Sequence, residues 1–136
     1  EEQFWAEELA VFQAGIDSGA NMIMVSHMAA PALTGDNEPS IFSRVLVTDI
    51  LRNQMGFQGV VITDALSMSA ISEYYGAEEA AIMAVLAGCD MLLMPEDYGK
   101  AYQGVLEAVR NGNIDEERIN DSLRRIYRIK YADMVE

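Results

Sequence analysis

An aspartate stands directly after a short β-branched run, at a position that core packing does not explain. The run occupies residues 59–63, and Asp64 follows it. Burying an unpaired carboxylate is costly, so an acid at this position has either a structural partner or a chemical role. The structural role is a cap at the exit of a strand. The chemical roles are a nucleophile, a metal ligand or a phosphoacceptor.

Two further side chains lie where they could take part in a site. His27 is the only histidine, and it closes another short apolar run over residues 22–25. A single histidine at such a position fits a structural hydrogen-bond donor and a site residue equally well. Met68 follows Asp64 into the same connecting segment. Most of the other methionines fall in apolar stretches, where filling the core is their default role.

The sequence does not indicate several common kinds of site. One histidine and one cysteine, without paired ligand spacing, argue against a zinc site. Neither a glycine-rich phosphate-binding loop nor a G-x-S-x-G nucleophile elbow occurs. We therefore expect neither a metal nor a cofactor. The single cysteine, Cys89, excludes an internal disulfide, and its apolar neighbours predict a buried side chain rather than a reactive thiol.

The composition narrows the class of partner. The chain has 136 residues and a formal net charge of −13, from 22 acidic and 9 basic side chains. A nucleic acid duplex or an anionic membrane is repelled by that charge, so neither is an expected partner. No apolar run reaches the roughly 18 residues that a membrane span needs, and the acidic first residues do not read as a signal peptide. Localisation stays open between the cytoplasm and export to the cell envelope.

Helices and strands alternate along the chain. Apolar runs near residues 22, 60 and 91 predict three strands, and a helix is predicted in each gap. This order favours right-handed βαβ crossovers and a parallel sheet, in which the carboxyl ends of the strands meet at one edge. Polar side chains at residues 26–27, 63–64 and 96–97 should therefore gather there. The predicted helices are 5–18, 43–54, 77–87, 99–111 and 115–131, and the predicted strands are 22–25, 59–64 and 91–94.

A longer motif surrounds Asp64. Residues 56–68, which read GFQGVVITDALSM, closely resemble the nucleophile region of glycoside hydrolase family 3, where Gly-Phe-x-Gly-Val-Val precedes a Ser or Thr and the nucleophilic Asp. Four other segments resemble the family in the same order: 12–20, 22–27, 87–95 and 119–126. The resemblance implies an α/β fold made of the last three βα units of a TIM-type (β/α)8 barrel. Residues 1–136 are then one partial catalytic domain, the C-terminal portion of that barrel.

The residue after the aspartate indicates a branch of the family. It is Ala65, followed by Leu66, where β-glucosidase-like members usually have tryptophan, so the segment resembles the β-N-acetylhexosaminidase-like branch. The resemblance implies terminal β-linked N-acetylglucosamine as the substrate and a retaining mechanism with Asp64 as nucleophile. His27 and Met68 are expected to bind the substrate. The general acid/base of this branch lies on a loop that precedes the matched region, and His27 does not match its motif.

Three strands cannot close a barrel, because closure requires a consistent strand number and shear. The chain alone would expose two sheet edges, which are templates for pairing with another strand. We therefore expect a fragment that is inactive by itself and that could associate with copies of itself through these edges.

Besides a different class of barrel enzyme, two other interpretations stay open at this point. A receiver-like domain would use Asp64 as a phosphoacceptor, but such a domain needs an early acidic pair and a lysine at the end of a later strand. Here the first run ends in Ser26 and His27, and no lysine follows the third run until Lys100. A non-catalytic α/β binding or scaffold module is the second alternative.

Overall fold

The computed structural model describes residues 6–132. Six α-helices and two strands are assigned within that range, together with a short 3-10 helix and a π-helix. In chain order the elements are α1 Glu8–Asp17, β1 Met22–Val25, α2 Pro31–Thr34, the 3-10 helix Ser40–Phe42, the π-helix Val45–Gln54, β2 Val60–Thr63, α3 Ser69–Ser72, α4 Ala77–Ala87, α5 Tyr98–Arg110 and α6 Glu116–Lys130.

The two strands form a parallel pair, as predicted. Met22 lies opposite Val60 and Val25 lies opposite Thr63. The π-helix lies in the crossover between the strands, which is the position of the helix in a βαβ unit. The predicted α/β fold class is therefore confirmed, with parallel strands and flanking helices.

The third predicted strand, residues 91–94, is present only as an extended segment beside β2. It forms one parallel bridge, between Ile62 and Met91. The ladder stops because the side-chain Oγ1 of Thr63 accepts the next amide, from Leu93, at 3.0 Å. Met94 then turns away with a φ of 44°, in the left-handed region. The prediction had the segment in the right place but was wrong in giving it the pairing of a full strand.

The sheet is covered on one face by helices of this chain. Ile23 and Val25 pack against the buried apolar core, which includes Val47, Leu51 and Val61. Met22 and Met24, which point to the opposite face, are 45% and 51% exposed. A run that is apolar on both faces is typical of a strand with cover on both sides. The described residues supply that cover for β1 on one side only.

The predicted helices form, with differences at their ends and in their hydrogen bonding. The helix predicted over residues 43–54 is the π-helix, and its apolar side chains Val47, Ile50 and Leu51 are buried as expected. The helix predicted over 5–18 begins at Glu8, and position 5 lies outside the described residues. Asp115 caps α6 by accepting the amide of Glu117 at 3.0 Å, which confirms the predicted start of that helix.

Cys89 is buried in the core, as predicted, with 1% of its surface exposed. Burial, together with the nearby Asp90 carboxylate, raises the pKa of its thiol to about 12. At neutral pH the thiol stays protonated and serves as a small apolar side chain. No helix within residues 6–132 is both long enough and apolar enough to cross a membrane.

Candidate functional site

Asp64 lies at the carboxyl edge of the sheet, one residue beyond β2. Its amide donates to the carbonyl of Val25 at 2.9 Å, which continues the pairing of the strands past their last ladder residue. The residue is half-buried. Its Oδ1 accepts the amide of Ala65 at 2.7 Å. Within residues 6–132, no hydrogen bond to Oδ2 is formed, so that oxygen is available to a ligand above the strand ends.

The backbone after Asp64 is hydrogen-bonded to the third extended segment, residues 91–94. The amide of Leu66 donates to the carbonyl of Leu93 at 2.9 Å, and the amide of Ser67 donates to the carbonyl of Met94 at 3.0 Å. Thr63, directly before Asp64, is fully buried and bonded to the same segment. Hydrogen bonds therefore fix the backbone on both sides of Asp64.

His27 comes close to Asp64 through the backbone of the following residue. Its Nε2 lies 2.9 Å from the carbonyl oxygen of Ala65. Its Nδ1 is buried and has no hydrogen-bond partner among the described residues. The structure thus brings together His27 and the Asp64 segment, as the strand-end argument predicted. The substrate-binding role of His27 stays a prediction.

Met68 ends the turn that leads into α3 and is the N-cap residue of that helix. Its amide donates to the carbonyl of Ala65 at 3.1 Å. Its side chain is 47% exposed. An exposed thioether beside a polar site is able to pack against the apolar face of a ligand. The substrate contact predicted for Met68 stays a prediction.

The third predicted polar cluster, at residues 96–97, has a structural explanation. Asp97 is the N-cap of α5, and its Oδ1 accepts the amide of Lys100 at 3.0 Å. That backbone hydrogen bond, with a second bond to the Lys100 side chain, lowers the pKa of the Asp97 carboxyl. The carboxylate therefore completes the first turn of a helix, where an acid is favourable.

A second aspartate, missed by the sequence argument, lies at the opposite end of the sheet. The side chain of Asp90 is fully buried and forms ion pairs with Arg52, Arg118 and Arg125. Its oxygens also accept the Ser122 hydroxyl at 2.7 Å and the Val61 amide at 2.9 Å. We call these six residues the Asp90 cluster.

The Asp90 cluster has a sequence signal that could have been found. Arg118, Ser122 and Arg125 lie on one face of α6, at the i, i+4, i+7 spacing of a helix. Burial lowers the pKa of Arg118, and the charge of Asp90 opposes that shift. The cluster joins the amino ends of β2 and of the third extended segment. At that end of a parallel barrel, ordered residues serve stability rather than catalysis.

No group of three His, Cys, Asp or Glu side chains within residues 6–132 is placed to hold a metal ion. Parallel strands, an intervening helix and a half-buried carboxylate beyond a strand end are the arrangement of a parallel α/β domain with its site at the carboxyl edge.

The chain belongs to glycosyl hydrolase family 3, whose N-terminal domain it matches over residues 1–129. It is 28% identical over 129 residues to a β-N-acetylglucosaminidase/β-glucosidase of Cellulomonas fimi, covering 88% of this chain and 23% of that protein. It is 40% identical over 103 residues to a β-hexosaminidase of Stenotrophomonas maltophilia, covering 74% of this chain and 30% of the relative.

A solved structure has the same arrangement of elements. It is that of a glycoside hydrolase family 3 β-N-acetylglucosaminidase from Paenibacillus sp. strain FPU-7, with a TM-score of 0.88 and 38% identity. The similarity covers 92% of this chain and 24% of that one. The chain therefore spans about a quarter of the length of these relatives.

Proposed function

We propose that this chain carries the nucleophile of a retaining glycoside hydrolase that removes terminal β-linked N-acetylglucosamine from glycans. The observation that carries the proposal is the half-buried carboxylate of Asp64 beyond the end of β2. It stands at the carboxyl edge, where barrel enzymes hold their catalytic groups. The named activities of the relatives from Cellulomonas and Paenibacillus support the substrate class.

The chemistry proposed for Asp64 has two steps. In the first, a carboxylate oxygen bonds to the anomeric carbon while the bond from that carbon to the departing oxygen breaks, and a general acid protonates the departing oxygen. In the second, water attacks the same carbon, the ester to Asp64 breaks, and the residue that acted as acid accepts a proton from the water. The acid/base residue lies outside this chain.

The hydrogen bonds of Asp64 suit this role. Oδ1 is held by the Ala65 amide at 2.7 Å, which leaves Oδ2 as the oxygen that attacks. A fixed carboxylate reaches the attack geometry without losing further conformational freedom, and this is a large part of catalytic rate enhancement. Met68, exposed on the next turn, is proposed to pack against the sugar at the rim of the site.

We also propose that the chain is the C-terminal part of a (β/α)8 barrel, completed by strands outside residues 1–136. The outer edge of β1 has no strand beside it within the described residues, and Met22 and Met24 are about half exposed on its open face. Further barrel strands would pair with this outer edge and cover this open face. Pairing with a second copy of the chain through the same edge is the alternative way to satisfy them.

The test of the nucleophile is covalent labelling of the full-length protein that contains this chain. A 2-fluoro β-glycoside with a good leaving group slows hydrolysis of the glycosyl-enzyme, so the sugar accumulates on the nucleophile. We expect the added mass on the peptide that holds Asp64, and no added mass on that peptide in Asp64→Asn. Turnover of an aryl β-N-acetylglucosaminide without label on this peptide would place the nucleophile elsewhere. Absence of both turnover and label would favour the alternative of a non-catalytic binding or scaffold module.

The isolated 136-residue chain is expected to release no product from a fluorogenic β-N-acetylglucosaminide. Without the general acid, the departing oxygen must leave unprotonated, and the remaining walls of the site are missing. The measurement compares the pure chain with the full-length protein at equal concentration, after circular dichroism has shown that the chain is folded. Robust release by a folded chain would overturn the proposal that it is part of a larger catalytic domain.

A further inference from the structure

The contact between His27 and the Ala65 carbonyl fixes which nitrogen carries the hydrogen. A carbonyl oxygen only accepts hydrogen bonds, so Nε2, at 2.9 Å, must be the donor. In the neutral ring Nδ1 then carries a lone pair. That nitrogen is buried and has no partner among the described residues. The geometry therefore assigns the Nε2–H tautomer to His27.

The same contact completes a set of bonds around Asp64. The amide of Asp64 donates to the Val25 carbonyl at 2.9 Å, on the strand side. The amide of Ala65 donates to Oδ1 of the aspartate at 2.7 Å. The carbonyl of Ala65 accepts from His27 at 2.9 Å. Ala65 therefore binds the carboxylate of Asp64 through its amide and is itself bound by His27 through its carbonyl.

The carbonyl of Ala65 also accepts the amide of Met68, at 3.1 Å, so both of its lone pairs are in use. The bond from Met68 is local and closes a turn. The bond from His27 crosses from the end of β1 to the segment after β2. Without it, the turn could move as a unit relative to β1, and the Ala65 amide would move with it.

Neither ring nitrogen of His27 is available to a sugar. Nε2 is engaged by the Ala65 carbonyl, and the surface of Nδ1 is buried within the chain. A residue that selects a sugar hydroxyl needs a donor or acceptor that faces the ligand. The half-buried ring has both of its nitrogens turned towards the protein.

We propose that His27 is a positioning residue that holds the Ala65 backbone, and through it the carboxylate of Asp64, instead of contacting the substrate. This proposal rests on the proposed role of Asp64 as nucleophile. It replaces the substrate-binding role predicted for His27 with one that acts through another residue.

The test uses a matched pair of variants, His27→Gln and His27→Asn, in the full-length protein that contains this chain. Glutamine places its amide nitrogen at about the reach of Nε2 and can donate to the Ala65 carbonyl. Asparagine has the same amide but is one methylene shorter. The measurements are the rate constant for labelling of Asp64 by a 2-fluoro glycoside at saturation, the concentration for half-maximal rate, and KM for an aryl β-N-acetylglucosaminide.

We expect labelling by His27→Gln to stay within about fivefold of the wild-type rate and labelling by His27→Asn to fall by about 30- to 100-fold, because small misplacements of reacting groups cost about this much. KM and the half-maximal concentration should change less than about threefold, since no sugar contact is lost. A wild-type rate in His27→Asn would overturn the proposal. A raised KM with an unchanged saturated rate would also overturn it, in favour of a substrate contact.

The outcomes separate this proposal from the one on which it rests. If the wild-type protein is not labelled on the Asp64 peptide, the nucleophile assignment fails and the positioning role fails with it. If the wild type is labelled and His27→Asn is labelled equally fast, only the positioning role fails. Where both variants unfold, nitrogen-15 NMR of the wild-type histidines decides, with the His27 ring signals assigned by through-bond correlation to its own backbone amide. The Nε2–H tautomer supports the proposal and the Nδ1–H tautomer overturns it.

Discussion

Asp64→Asn in the full-length protein that contains this chain is expected to lower kcat for an aryl β-N-acetylglucosaminide by about 10⁴-fold or more. An amide oxygen is a far weaker nucleophile than a carboxylate, so the first step of the proposed reaction is lost. The fold should be kept, because the amide of asparagine is isosteric with the carboxylate. Its oxygen can still accept the Ala65 amide that now bonds Oδ1 at 2.7 Å.

The matched control is Asp115→Asn, an identical change of group at a position with a structural role. Asp115 caps α6 by accepting the Glu117 amide at 3.0 Å, and asparagine is an equally good capping residue. We expect its kcat to stay within about twofold of the wild type. Equal losses in both variants would mean that the effect of Asp64→Asn is not specific to the site.

A second substitution at the same position separates two retaining mechanisms. Asp64→Gly leaves a space beside the anomeric carbon, and added azide can take the place of the carboxylate. A glycosyl azide of inverted configuration, formed at a rate that rises with azide concentration, would support Asp64 as the nucleophile. If the acetamido group of the substrate attacks instead, as in substrate-assisted glycosidases, azide should not restore activity in this way. Such an outcome would leave Asp64 with only an electrostatic role.

The elements that position Asp64 could be predicted because each has a local signal. Val60, Val61 and Thr63 of β2 are buried, Ile62 is half-buried, and Asp64 follows them at the sheet edge, as the sequence indicated. The parallel pairing followed from the helix between the two strands. The cap at Asp115 followed from the acids that begin α6. Each of these features has its signal either in a few consecutive residues or in the order of the predicted helices and strands.

The features that were missed depend on residues far apart in the chain. The third segment pairs with β2 through a single bridge because the Thr63 side chain, instead of a backbone carbonyl, accepts the Leu93 amide. A pattern of apolar residues does not show which of the two groups accepts that hydrogen bond. The contact between His27 and Ala65 joins two loops separated by 38 positions. The Asp90 cluster joins α6, the π-helix and β2, and only the spacing within α6 is visible in the sequence.

Asp90→Asn is expected to destabilise the folded domain by about 3–5 kcal/mol, the typical cost of breaking a buried ion pair by removing one partner. The change leaves Arg52, Arg118 and Arg125 near one another without the buried carboxylate that they share. Burial already lowers the pKa of Arg52, and its pairing with Asp90 is the main opposing influence. The measurement is the free energy of unfolding from denaturant titration of the full-length protein, with resistance to proteolysis as a second readout.

Asp121→Asn is the control that separates burial from ion pairing as the origin of this effect. Asp121 also lies on α6 and pairs with an arginine, Arg124, at 2.8 Å, but the two side chains are 47% and 59% exposed. An exposed pair contributes about 0–1 kcal/mol, so little stability should be lost. A loss in Asp90→Asn no larger than in Asp121→Asn would mean that the cluster adds no net stability. A larger loss would show that the buried ion pairs of Asp90 stabilise the domain from the amino ends of the strands, at the end of the sheet opposite Asp64.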